Sequence, residues 1–176
     1  MVYELLFAIF ALLIYGTYNV IVLHLFNVPV SLSQTYYLFK NRKEWQRLLF
    51  PIVMLLVGSL LLPSWLKLSE SSNYQFLSFL SCTSIMFTAA SPAFNRTKLE
   101  NNVHTYSAYI SALFAVLWII LVAHAWNILV VWIILILLIS ISTNTFKSSY
   151  IYWLETIAIM STLSTIISKN IINLYC

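Results

Sequence analysis

Uninterrupted apolar runs of about 20 residues recur along this chain, and that recurrence limits its fold more than any other feature. A helix rises about 1.5 Å per residue, so roughly 20 apolar residues cross a hydrocarbon core about 30 Å thick. Six such runs are read, at approximately residues 3–26, 48–66, 74–94, 104–123, 127–142 and 150–172, the fifth being the shortest. They are too long for barrel strands and lack the alternation that a barrel needs. The expected fold is all-α: a polytopic integral membrane protein with six transmembrane helices in one bundle.

Only 8% of the 176 residues are charged and 61% are hydrophobic, where a soluble domain carries about a quarter charged. The connections are too short to hold a soluble domain, so residues 1–176 are expected to form a single transmembrane domain. The opening stretch MVYELLFAIF has no cationic start and carries Glu4 instead. It is therefore expected to stay as a membrane helix rather than be cleaved as a signal peptide. Cys82 and Cys176 form neither a metal spacing nor a plausible pair, and Cys176 is not in a prenylation context.

Lys and Arg concentrate on alternate connections. Lys40, Arg42, Lys43, Arg47, Arg96, Lys98 and Lys147 fall on one side of a six-helix serpentine, and only Lys67 and Lys169 fall on the other. By the positive-inside rule both termini are expected to be non-cytoplasmic, in a plasma or inner membrane. The cluster Lys40, Arg42, Lys43 and Arg47 is expected to meet anionic lipid heads. A nucleic-acid partner is not expected, because the cations are spread over several loops rather than gathered on one face. Trp45, Trp65, Trp126, Tyr150, Tyr152 and Trp153 lie near run ends and read as an interfacial aromatic belt.

Polar side chains inside the runs should face other helices or a cavity. Ser81, Ser84, Thr88 and Ser91 share a helical stripe, as do Thr105, Ala108, Ala112 and Ala115. Both read as small-residue packing seams, compatible with a homo-oligomer or a membrane-protein partner. Glu155 is the only carboxylate well inside a run, on a stripe with Ala158, Thr162 and Thr165. Such a group is a functional-site candidate by default. His104 heads a second small-residue stripe, and the serpentine brings His24, His104 and Glu155 to the cytoplasmic leaflet. His124, in the turn HAWN, reads as an interface residue.

Between the first run and the basic cluster lies PVSLSQTYYLF, residues 29–39. Pro29 should end or bend the first helix, and Ser31 stands three residues before Gln34, the spacing of a capping box. A short helix is expected to begin near Leu32. It is either interfacial, with Tyr36 and Tyr37 as anchors, or re-entrant, with Ser31, Ser33, Gln34 and Tyr36 walling a pocket that also holds His24, His104 and Glu155.

The function expected from these positions is binding of a small or lipid-like ligand in a polar pocket at the cytoplasmic leaflet. The alternatives are a transporter or channel subunit, a non-catalytic accessory or scaffold protein, and an intramembrane enzyme dependent on His and Glu. The chain has no Asp, no G-x-S-x-G and no phosphate loop, so catalysis is the weakest of these readings. Its two glycines leave little room for the broken helices of many transporters. No motif indicates a cofactor. No metal is expected either: a facial triad of His24, His104 and Glu155 would rest on ligand identity without any local ligand spacing.

Overall fold

A computed structural model describes residues 2–93 and 96–175 of the chain, which contain helices and turns and no strand. The helices are α1 (Val2–Phe26), α2 (Thr35–Arg42), α3 (Leu49–Ser69), α4 (Gln75–Ala90), α5 (Lys98–Leu121), α6 (Trp126–Ser142) and α7 (Tyr150–Tyr175), with a 3₁₀ turn at Glu44–Leu48 leading into α3. Each of the six apolar runs lies on a helix. Four are long and apolar enough to cross a membrane: α1, α3 with its leading turn, α5 and α7. The other two are shorter, α4 with 16 residues and α6 with 17.

The helix ends differ from the apolar boundaries for local reasons. α4 stops at Ala90 because Ser91 precedes Pro92, whose ring disfavours helical backbone before it. Phe94, where the third run is drawn to end, lies outside the described residues, as does Cys176. α5 begins six residues before its apolar run, at a capping box the hydropathy pattern conceals. The backbone N–H of Glu100 donates to Thr97 Oγ1 at 3.1 Å, and the Thr97 hydroxyl donates to the Glu100 carboxylate at 2.9 Å.

With only two glycines in the chain, the left-handed residues that end helices are of other types: Asn27 after α1 (φ 59°), His124 after α5 (φ 48°) and Asn144 after α6 (φ 52°). The N–H groups beyond them turn back onto the last carbonyls, Ala125 to Ile119 and Thr145 to Ser140. Asn tolerates this conformation through its short polar side chain. His124 does not share that advantage.

α7 sits at the centre, packed against α1, α3, α5 and α6, while α3, α4 and α5 form a continuous wall beside it. The outward faces stay apolar, with Leu13 and Val20 of α1 and Leu138 and Ile141 of α6 exposed. Half of the expected aromatic belt turns out to be core. Trp65 is fully buried edge-on against Trp118 at 5.4 Å between ring centroids, and Tyr152 and Trp153 are buried as a T-shaped pair at 5.0 Å. Trp45 (63%), Trp126 (64%) and Tyr150 (53%) remain exposed. Aromatic rings near helix ends suit a wet interface and a packed helix junction equally, so position along the chain does not separate the two.

Two polar knots join the helices. At one end Trp118 Nε1 donates to Ser69 Oγ at 2.7 Å, while Ser69 donates to the Trp65 carbonyl, tying α5 to α3. Asn170 Nδ2 donates to Ser64 Oγ at 2.8 Å, tying α7 to α3. Replacing His124 with Gly should relieve the strain of its left-handed backbone and stabilise the purified protein by about 1 kcal/mol, raising its melting temperature by about 2–4 °C. A thermal melt of the variant beside the parent checks this.

Candidate functional site

The connection after α1 is not a surface turn. Pro29, Leu32, Ser33, Thr35, Tyr36 and Phe39 are buried, and the segment lies against the start of α7. The Tyr152 N–H of the first turn of α7 donates to the Val30 carbonyl at 3.0 Å, and Ser149 Oγ donates to the Val28 carbonyl at 3.3 Å. An irregular segment carries backbone groups that no helix satisfies, and burying them unpaired is costly. Here α7 supplies the partners.

Glu155 completes this arrangement. Its Oε2 accepts the Leu32 N–H at 2.7 Å. The Leu32 carbonyl accepts from the Thr35 N–H at 3.1 Å and from the Thr35 hydroxyl. Since Thr35 spends its proton on that carbonyl, Tyr18 of α1 donates its own hydroxyl to Thr35. A single polar chain thus runs from α1 through the short segment to α7. The Ser31 to Gln34 spacing closes a turn rather than capping α2, which begins at Thr35 and not near Leu32: the Gln34 N–H donates to Ser31 Oγ at 3.2 Å and Gln34 Oε1 accepts from the Val30 N–H at 2.7 Å. Three 3₁₀-type turns over residues 32–34 lead into the helix at Thr35.

His104, buried near the start of α5, points at the end of α4. Its Nδ1 lies 3.1 Å from the Thr88 carbonyl and 3.0 Å from the Ser91 carbonyl. Both are acceptors, so Nδ1 carries the proton and closes off the last carbonyls of α4, which have no partner within their own helix. His104 therefore holds a helix end as well as lining the space beside it. The α4 stripe turns toward α5, where the Ser81 hydroxyl donates to the Ser111 carbonyl at 2.9 Å; Ser84 is buried, and Thr88 donates to the Ser84 carbonyl.

Two cavities meet at Glu155. The smaller, about 60 Å³, lies inside the bundle among Phe50, Met54, Trp65, Ala115, Ile159 and Thr162. The larger is a groove of about 880 Å³ between α5, α6 and α7, within the size range of small-molecule sites. One end is polar, with Ser31, Ser33, Asn101, His104, Thr105 and Glu155; the rest is walled by Ala112, Leu113 and Val116 of α5 and Leu129, Ile133 and Ile136 of α6. It exists because α6 leans on α7, where Trp132 Nε1 donates to Ser164 Oγ at 3.0 Å, and touches α5 only slightly.

Of the residues singled out from sequence, Glu155, His104, Ser31 and Ser33 line this groove together, and Ala108 and Ala112 line both cavities. His24 is exposed on the last turn of α1, and His24, Gln34 and Tyr36 line neither cavity. Tyr36 is buried beside Tyr37 at 5.1 Å rather than standing out as an anchor. Among the described residues no three His, Cys, Asp or Glu side chains come together as a metal site, so the triad of His24, His104 and Glu155 is not assembled. Glu155 does not pair with Lys147, which is exposed. Asn101, Ser140, Tyr150 and Trp153 also line the groove. They lie off the helical stripes because the groove's walls come from three helices, and Ser140, buried late in a greasy run, is one local sign of it.

Substituting Glu155 with Ala leaves the Leu32 N–H buried without its acceptor, a loss of about 1–3 kcal/mol. Hydrogen exchange over residues 29–36 should accelerate in that variant, and Glu155→Gln, which keeps a carbonyl oxygen in reach, should exchange more slowly than Glu155→Ala. No protein-family model matches this chain, and no curated protein or solved structure matches it either.

Proposed function

We propose that this chain is an integral membrane protein that holds one lipid-like molecule in the groove between α5, α6 and α7, entering from the leaflet on the side of the basic connections. The observation that carries this reading is the groove itself: polar at one end, apolar along the rest, and bounded by helices whose outer faces are greasy. From His104 to Val116 the α5 wall rises about 18 Å, close to the depth of one leaflet's hydrocarbon. A molecule with a polar head at Glu155 and a chain along Leu113, Val116 and Ile133 matches that division.

The six-helix serpentine belongs to the same proposal. Helices of 16 and 17 residues reach about 24–26 Å, and a shorter span is accommodated by local thinning of the bilayer or by flanking residues. The bias of seven cations to two supports both termini on the non-cytoplasmic side. Lys40, Arg42 and Lys43 are exposed and free to meet anionic lipid heads, whereas Arg47 is paired with Glu44. A carrier or accessory role in a larger assembly is compatible with this site. His104 Nδ1 and Glu155 Oε2 are each committed to backbone partners, on α4 and at Leu32.

Protein purified in maltoside and examined by native mass spectrometry should carry one lipid-like adduct per chain. Val116→Trp, which fills the depth of the groove, should reduce that adduct at least fivefold while leaving the melting temperature near that of the parent. An adduct unchanged by Val116→Trp would refute the groove as its site. Reporter tags on the two termini should both be protected from cytoplasmic labelling, and opposite results for the two ends would refute six crossings.

A further inference from the structure

The head end of the groove has a definite chemistry. Glu155 presents one carboxylate oxygen to the Leu32 N–H, and its other oxygen, Oε1, has no hydrogen-bond partner among the described residues. A carboxyl group facing a mostly apolar space stays ionised only beside a donor or a cation. No Lys or Arg lines the groove among the described residues, and His104 directs its Nδ1–H away to the α4 carbonyls. An anionic head would therefore meet a like charge with no counterion. Tyr109, Tyr150, Trp153 and Ser33 are among the residues that line the same groove. Aromatic rings in a groove that also holds a carboxylate suit ammonium groups, and hydroxyls accept N–H donors.

From this charge complementarity we infer that the molecule held in the groove is an amphiphile with an amino or ammonium head, bound through Glu155, with its chain along α5 and α6. The inference rests on the lipid-like reading of the groove and adds the head-group class. Apolar walls supply affinity for any chain of suitable length, so they do not discriminate among heads; Glu155 does. Discrimination against an anionic head comes from repulsion and an unpaired carboxylate, and discrimination against a neutral head comes from the missing charge–charge contact.

The test uses the full chain in a neutral maltoside at pH 7.5 with hexadecylamine, 1-hexadecanol and hexadecanoate, which share one tail. Hexadecylamine should bind at least tenfold more tightly than either of the others, and Glu155→Gln should abolish its preference over hexadecanol. Equal affinities for amine and alcohol, or tighter binding of hexadecanoate, would overturn the head-group assignment while leaving the groove reading in place. Absence of binding by all three would remove the groove reading and the assignment with it. Ethanolamine, the amine without a tail, should not displace hexadecylamine at tenfold excess; displacement would mark a site for a free amine and overturn the lipid assignment. Should Glu155→Gln fail to fold, the three-probe comparison on the native chain still decides.

Discussion

The structure depends on how it satisfies one short stretch of irregular backbone. Residues 27–34 leave the first helix at a left-handed Asn27 and turn into the bundle, where lipid-like surroundings offer no partner for an N–H or a carbonyl. The start of α7 and the residue before it provide them through Ser149, Tyr152 and Glu155, and Tyr18 of α1 reaches the same segment through Thr35. This pairing fixes the start of α7 against the end of α1, and because α7 touches α1, α3, α5 and α6, its position sets theirs. Glu155 is thereby structural through one oxygen and available through the other.

The groove follows from the same placement. With α7 held by the inward segment, its far side accepts α6, while α5 is drawn the other way by its long contact with α4 and by His104 closing the end of α4. α5 and α6 are joined by a short turn yet splay apart from it. The space between them is lined by small residues on α5 and branched aliphatic ones on α6, and its polar end coincides with Glu155. A carboxylate that satisfies backbone thus also stands at the polar end of an open apolar groove, so packing and the proposed site share a residue.

Much of this was legible along the chain, and the illegible part has identifiable causes. The apolar runs locate the helices, and the Ser31 to Gln34 spacing locates the turn before α2, because both are local patterns. Helix ends at Thr97, Ser91 and His124 are set by caps, a following proline and backbone handedness, to which hydropathy is blind. Glu155 and His104 were recognisable as polar groups inside apolar runs, but their partners, Leu32 and the α4 carbonyls, are backbone atoms that leave no mark in side-chain pattern. Trp65, Tyr152 and Trp153 read as interface residues because an aromatic ring near a helix end suits either environment. Only its leaflet groups His24 with Glu155 and His104, and depth in a bundle does not say which face a residue occupies.

What the sequence determined by itself is the helical class, since runs of apolar residues this long can satisfy their backbone in greasy surroundings only within helices, together with the placement of a few polar groups inside them. Tertiary structure alone decided which of those groups share a space. The angle between α5 and α6, the inward turn after α1 and the choice of backbone partners all arise from contacts between different helices and segments, such as His104 with the α4 carbonyls and Leu32 with Glu155. No periodicity within one helix carries that information, because the walls of the groove are drawn from three helices and its polar end from two of these and the segment before α2.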